Sequence, residues 1–308
     1  MIVQPQPPTA PLARAAIDRA AGERTREGLL DEARADPTTR VLVVKGDAAP
    51  LEPRTDDSDA PRLRLVAVGD VSGAPAWAFL GRAGDGAAVL LAAFPETADD
   101  PVVAPGGWGR LRVVGGDLDA ADAGLFVEGL ALGRWLVDEP FCSACGTRAE
   151  VRQAGWSRVC PECGREHFPR TDPAIIVAVT SVDGERLLLG SNAMWGQDRY
   201  SCFAGFVEAG ESLEAAVTRE IAEESGIRVA SMSYRGSQSW PYPRSLMLGF
   251  RAQAEDDDDA RADGEEIVQI RWFTRDEIGA AFAGESEVTL PGTASIAHAL
   301  IRDWHEGR

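Results

Sequence analysis

Three glutamates, Glu220, Glu223 and Glu224, stand at spacings that put them on one face of an α-helix. Like charges crowded in this way repel, and a helix gains from them only when cations neutralise the cluster. Hard divalent ions such as Mg2+ or Mn2+ take oxygen ligands and leave room for phosphate and water. Arg219 and Glu211 are spaced to brace such a site by an ion pair. Glutamates alone would equally describe a solvated acidic face. Gly205, Glu211, Arg219 and Gly226 at their fixed spacings turn the reading towards a metal site.

A second constellation is sulfur-based. Cys142-x2-Cys145 and Cys160-x2-Cys163 are separated by residues 146–159, and each pair can form a tight turn that aims two thiolates at one point. Two such turns supply the tetrahedral four-thiolate set that Zn2+ prefers, and a closed set of this kind is structural. Gly146 and Gly164 follow the second cysteine of each pair. Cys202 has no sequence partner and reads as a buried free thiol.

Around these residues the chain offers elements to position them. Ser212 can cap a helix running to Ser225, with Gly226 ending it. Leu213, Ala216, Val217 and Ile221 recur along that helix, so one arc is buried and the carboxylates lie where the helix leaves the core. The unbroken apolar run Ala174–Val179 predicts a strand buried on both faces. Arg186–Leu189 follows it across an Asp183-Gly184 turn, and Leu246–Ala252, Glu266–Phe273 and Ala294–Trp304 read as strand, strand and helix. Upstream, Arg40–Lys45, Leu63–Val68, Ala76–Leu80 and Ala87–Ala93 read as short strands, closed by a helix over Ala120–Leu136. No internal repeat is present.

The chain has 308 residues and a net charge of -18. That balance argues against holding long nucleic acid by phosphate neutralisation. Much of the excess lies in runs expected to be solvated: Asp56–Asp59, Asp99-Asp100 and Glu255–Asp259. No apolar run approaches the roughly 18 residues that cross a bilayer. Met1–Pro11 lacks a secretory pattern, and a cytoplasmic protein with no membrane partner is expected.

The segment Gly205-x5-Glu211-x7-Arg219-Glu220-Ile221-x-Glu223-Glu224-x-Gly226-Ile227 resembles the Nudix box, with every defined position filled. Downstream, Ser237-Gln238-Ser239-Trp240-Pro241-Tyr242-Pro243-Arg244-Ser245 is similar to SQPWPFPxS of the NADH pyrophosphatase (NudC-like) family, with Ser239 in place of Pro and Tyr242 in place of Phe. The resemblance spans about residues 126–304. It implies an α+β chain in three parts: a β-rich Nudix-like domain at 1–138, a zinc ribbon at 139–169 and a Nudix α/β/α sandwich at 170–308. It also implies that Glu220, Glu223, Glu224, Glu266 and the carbonyl of Ala204 hold catalytic Mg2+ or Mn2+, with the general base unassigned. Phe168, Phe206 and Trp240 are expected around a nicotinamide ring, Gln238–Ser245 along the nucleotide pocket, and Ala297 against substrate. A family Glu just before the third cysteine is missing, and Gly155 stands near its place. The implied activity is hydrolysis of NADH or NAD+ to nicotinamide mononucleotide and AMP, with the NAD cap of an RNA 5′ end as a further substrate and a homodimer as the working form. The alternatives are another Nudix specificity (ADP-ribose, diadenosine polyphosphates) and a nucleotide-binding regulator that does not cut.

Overall fold

The computed structural model describes residues 10–14, 17–54, 56, 59–196 and 198–308. Most of the Met1–Pro11 segment, and Asp57 and Ser58 of the first acidic run, lie outside them. The chain forms two compact units. One is Arg14–Thr171 with Pro241–Arg244. The other is Asp172–Trp240 and Ser245–Arg308, joined by residues 10–13 of the N-terminus.

The first unit begins with α1 (Leu29–Ala35), β1 (Arg40–Lys45) and β2 (Ala48–Pro50), followed by β3 (Ala76–Arg82), β4 (Ala88–Phe94) and β5 (Trp108–Arg110). The strands make one sheet in the order β3-β4-β1-β2-β5, with β1 parallel to β4. After α2 (Leu111–Val114), the long helix α3 (Ala120–Asp138) starts at Asp119, whose carboxylate accepts the Asp122 N–H at 2.8 Å. The stretch Leu63–Val68 is not the expected strand. Its Leu63 and Val66 are buried, but the backbone meets the sheet only at single bridges, Val41 with Val66 and Leu51 with Leu63. The hairpin partner β2 already takes the Lys45 end of that edge of β1.

The cysteine module adds β6 (Glu150–Arg152), β7 (Ser157–Val159) and β8 (Glu166–His167) as a small antiparallel sheet. It is welded to α3 by Arg158. This guanidinium is only 4% exposed and donates to the carbonyls of Trp135 at 3.1 Å, Leu136 at 2.6 Å and Glu139 at 2.6 Å. All three lie at the C-terminal end of α3, where carbonyls run short of helical donors and a cation also suits the dipole; Trp135 shares its carbonyl with the Glu139 N–H at 3.2 Å.

The second unit contains β9 (Asp172–Thr180), β10 (Arg186–Asn192), β11 (Phe203–Phe206), α4 (Leu213–Ser225), β12 (Val229–Trp240), β13 (Ser245–Ala254), β14 (Ile267–Thr274), α5 (Arg275–Ala283) and α6 (Ile296–His305). Its sheet runs β12-β13-β9-β10-β14. Strand β9 is buried on both faces, as its apolar run requires. Ile175, Val177 and Val179 pack with Ala216, Val217 and Ile221 of α4, while Ile176 and Ala178 pack with Ile296, Leu300 and Trp304 of α6. Two core layers on one sheet make an α/β/α sandwich. Beside β9 the sheet divides: β10 pairs with it only near Val179 and Thr180, and β11 takes over the stretch Ala174–Val177.

Strands β11 and β12 and helix α5 were not anticipated from the sequence. The aromatic-proline segment is less of a loop than its prolines suggest. Ser237–Trp240 ends β12, Ser245 begins β13, and Pro241–Arg244 turn between them with a cis Tyr242–Pro243 bond. Of the acidic runs, Asp257 is an exception to free solvation: it accepts the Val182 N–H at 2.9 Å and pairs with Arg186 at 2.6 Å.

Replacing Arg158 by Met removes the Arg158 donor from the Leu136 and Glu139 carbonyls and one of the two donors to the Trp135 carbonyl. We expect the unfolding free energy of the first unit to fall by on the order of 3 kcal/mol in a denaturant titration. A loss below about 0.5 kcal/mol, as for an ordinary surface change, would show that Arg158 does not hold the ribbon to α3.

Candidate active site

Helix α4 is built to carry charge into the core. Ser212 caps it by accepting the Ala215 N–H at 3.2 Å, and Gly226 ends it in the left-handed conformation. Glu224 falls on the same arc as Val217 and Ile221 and is 4% exposed, whereas the Glu223 side chain is 61% exposed. Glu220 lies between these extremes, its side chain 13% exposed. The three carboxylates therefore meet quite different surroundings.

Arg219 organises the helix. Its guanidinium grips Glu211 through two hydrogen bonds of 2.8 and 2.9 Å, the bidentate geometry in which Arg–carboxylate pairs are strongest. It also reaches Glu220 at 2.8 Å, Glu223 at 3.1 Å and the Phe206 carbonyl at 3.1 Å. The Arg219 bonds, followed by the Glu208 N–H, hold the Glu211 carboxyl down to about 2. Its stabilising contribution is therefore present above about 4.5 and disappears as pH falls through about 2. The brace expected between Arg219 and Glu211 is thus present.

Above Glu220, the backbone of β11 passes very close. A Cβ on Gly205 would sit 2.0 Å from the Glu220 carboxyl carbon, so only glycine leaves room for this carboxylate. Ala204, Gly205, Phe206, Glu208, Arg219, Glu220, Ser245, Met247 and Glu266 line a cavity of about 410 Å3 with Ala174 at its wall. Burial, then the charges of Glu266, Glu220 and Asp263, push the Glu224 carboxyl up to about 8, against a bond from the Ala204 backbone. One Glu224 oxygen is buried with no hydrogen-bond partner. An orphaned buried carboxylate oxygen among other carboxylates is the donor set a hard divalent cation fits.

Asp263 was not singled out from the sequence. Its carboxylate accepts the N–H groups of Glu265 at 2.5 Å, Glu266 at 2.8 Å and Ile267 at 3.2 Å, and so fixes the turn that delivers Glu266. The Ala193 N–H holds the Glu266 carbonyl from the other side at 2.9 Å. The Asp263-Gly264 pair, a frequent turn former, was the available signal.

The other expected contacts have varied surroundings. Ala297 is 1% exposed within the core and does not line the cavity. Gln238 is also 1% exposed, with both ends of its amide bonded to backbone. Phe206 stands 55% exposed at the cavity, Trp240 is half-buried at the end of β12, and Ser239 pairs with Leu246. Phe168 and Pro241–Arg244 belong to the other unit. There the Tyr242 hydroxyl accepts the Arg112 N–H at 3.0 Å, its ring lies near the guanidiniums of Arg112 and Arg134, and Arg244 pairs with Glu139. Gly155 has φ +101°, and a Cβ there would lie 2.4 Å from that of Ala78, so this backbone has no room for a Glu at that position.

The four cysteines converge as expected. All their sulfurs lie within 4.8 Å of one another, with Cys142–Cys163 at 3.6 Å and Cys145–Cys160 at 3.4 Å. A tetrahedron with zinc–sulfur bonds of about 2.3 Å has edges near 3.8 Å, whereas a disulfide would need about 2.05 Å. The two knuckles repeat one pattern: Gly146 N–H to the Cys142 carbonyl and Gly164 N–H to the Cys160 carbonyl, each at 2.9 Å. Hydrogen bonds from Thr147, side chain first, draw the Cys145 thiol down to about 6, which favours the thiolate that binds metal. Cys202 is buried, and burial pushes its thiol up to about 12.

Two outcomes follow for the carboxylate centre. Gly205→Ala displaces the Glu220 carboxylate, the mobile end of a flexible side chain. Mn2+ affinity, read from the free-ion electron paramagnetic signal, should drop roughly 10–100-fold with the melting temperature nearly unchanged. Unaltered affinity would detach Glu220 from the metal. The raised Glu224 carboxyl is protonated in the metal-free fold at neutral pH, and ionising it costs stability as pH rises from about 4.5 through about 8. Mn2+ uptake should therefore release about one proton near pH 7 and close to none near pH 9, measured by calorimetry in buffers of different ionisation enthalpy. Equal release at both pH values would contradict the burial argument.

A NUDIX domain model matches residues 170–290, and an NADH pyrophosphatase zinc ribbon domain model matches residues 139–168. The chain is 39% identical over 280 residues to the NAD-capped RNA hydrolase NudC of Mycobacterium tuberculosis, covering 88% of this chain and 84% of that protein. It is 38% identical over 208 residues to the protein of the same name from Pseudomonas aeruginosa, covering 66% of this chain and 69% of that one. It is 36% identical over 197 residues to the NAD-capped RNA hydrolase NUDT12 of Macaca fascicularis, covering 61% and 42%. With its box, its ribbon and these relatives, the chain belongs to the Nudix hydrolases, in their NADH pyrophosphatase (NudC-like) family.

Proposed function

We propose that this enzyme hydrolyses the pyrophosphate bond of NADH and NAD+, releasing the nicotinamide mononucleotide and AMP, and removes the NAD cap from RNA 5′ ends. The observation that carries the chemistry is the buried Glu224 carboxylate, one oxygen unpartnered, within the field of Glu220 and Glu266, which line an open cavity. The substrate class follows the names of the relatives, all NAD-capped RNA hydrolases. The chain's net charge of -18 favours engagement of only the first few nucleotides of a capped RNA.

Glu220, Glu224 and Glu266, with the Ala204 carbonyl, would hold Mg2+ or Mn2+. A cation held there would polarise the diphosphate and lower the pKa of a bound water. Arg219 keeps Glu220 and Glu223 aimed while Glu211 holds Arg219. Glu223, open to solvent, and Glu224, buried, are two candidate acceptors for the water's proton. Phe206 offers an exposed aromatic face at the cavity for a flat ring. The proposal includes Trp240, Phe168 and the Pro241–Ser245 stretch as substrate contacts, the division of the chain at 138/139 and 169/170, and a cytoplasmic homodimer. The family resemblance supports the dimer. The CxxC pairs, read as metal ligands rather than disulfides, support the compartment.

Turnover of NADH, NAD+, ADP-ribose and a short NAD-capped RNA, each with Mg2+ and Mn2+, tests the reading. Faster cleavage of NADH or the capped RNA, abolished by chelation, is the expected result. A large preference for ADP-ribose would keep the chemistry and overturn the specificity, and no turnover at all would favour a binding protein. Glu223→Gln and Glu224→Gln should each retain the fold. The one that serves as base should lose roughly 10²–10⁴-fold in kcat, and wild-type rates in both would refute the mechanism.

A further inference from the structure

Gln238 belongs to the motif expected to line the nucleotide pocket, yet its side chain is 1% exposed and bonded at both ends of its amide. Its Oε1 accepts the Leu12 N–H at 3.1 Å, and its Nε2 donates to the Ala294 carbonyl at 2.9 Å. The orientation of the amide is forced. Turning it over would set an NH2 against an N–H and an oxygen against a carbonyl, breaking both bonds. The second N–H and the second oxygen lone pair lie within a side chain that is closed off from solvent.

The amide joins three segments, one of which reaches the cavity through its hairpin partner. Gln238 pairs across the hairpin with Met247, which lines the cavity and packs against the core formed with α6. Ala294 immediately precedes Ser295, the N-cap of α6, whose Oγ accepts the Ala297 N–H at 3.1 Å. Leu12 is 2% exposed, and Ala10 is buried in the same core as Ile296, Ala297 and Leu300. Residues 10–13 are thus part of the hydrolase unit, although more than a hundred residues of the other unit separate them from it in sequence.

We propose that Gln238 is a positioning residue: it locks residues 10–13 and the start of α6 beneath the Trp240 end of the hairpin, and so sets the shape of the substrate pocket without touching substrate. This rests on the proposed cleavage of NAD-type substrates. Two residues beyond Gln238, Trp240 pairs with Ser245, another cavity residue, so a shift of the lock moves the pocket wall. Helix α4, which carries Glu220 and Glu224, packs through Ala216, Val217 and Ile221 on the other face of the sheet from α6 and takes part in neither of these bonds. The lock should therefore control substrate binding rather than metal binding.

Gln238→Met keeps length and apolar bulk but orphans the Leu12 N–H and the Ala294 carbonyl. Leu12→Pro removes the same N–H from the other side, leaving Gln238 in place. For each variant, KM for NADH should rise about tenfold, within the range of coupling between sites, while kcat and the Mn2+ dependence stay close to wild type. The double variant should show less than the product of the two single effects. In Gln238→Met, amide exchange at Leu12 should also accelerate. Unchanged KM and unchanged Leu12 exchange would overturn the lock, as would a direct-contact pattern in which Gln238→Met raises KM but Leu12→Pro does not. If wild-type protein cleaves no NAD-type substrate, the functional reading fails, and the exchange measurement still decides whether Gln238 holds residues 10–13.

Discussion

Glu224 brings a carboxylate to a helix position whose neighbours along the buried arc, Val217 and Ile221, are core aliphatics. A charge in such a place is costly unless something compensates it. Within the described residues, the groups around it make matters worse: Glu220, Glu266 and Asp263 all disfavour its ionisation. The metal-free fold meets the difficulty by holding the carboxyl protonated near neutral pH, and one oxygen still finds no partner. A bound divalent cation removes both penalties at once. Several neighbouring features bear on how these carboxylates are held.

Several features follow from this constraint. Arg219 supplies positive charge to the outer carboxylates, Glu220 and Glu223, and is anchored by Glu211. Gly205 lets β11 pass over Glu220 at a distance no side chain would permit. The handover from β10 to β11 along β9 brings Ala204 and Phe206 to the cavity rim beside α4. Asp263 spends its own charge on three backbone amides, which fixes the approach of Glu266. In the other unit the same economy of polar groups holds the ribbon: Arg158 satisfies the carbonyls at the end of α3, and two matched knuckles bring four sulfurs together.

The parts of this arrangement that depend on local chemistry were legible in the amino-acid sequence. The α4 helix from its cap to Gly226, the Arg219–Glu211 brace, the four-sulfur cluster and the two-sided burial of β9 follow from spacing and residue type. What escaped depends on distant partners. Strand β12 is polar along most of its length and exists because β13 pairs with it residue by residue. Leu63–Val68 has the composition of a strand but finds its sheet edge already occupied. Residues 10–13 carry no signal that ties them to Gln238, since the bond uses a backbone N–H that any residue but proline supplies. Glu224 and Glu223 look alike in sequence, and only the packing of α4 against the sheet makes one buried and the other open.

The claim at the centre of this account is that the cation sits against the buried end of the carboxylate helix. Anomalous scattering from crystals soaked in Mn2+ reports that directly. The account predicts a strong peak within coordination distance of Glu224, Glu220 and Glu266, and its loss from the Glu224 side in a Glu224→Gln crystal. A peak confined to the exposed Glu223, or one that survives that substitution unmoved, would contradict it.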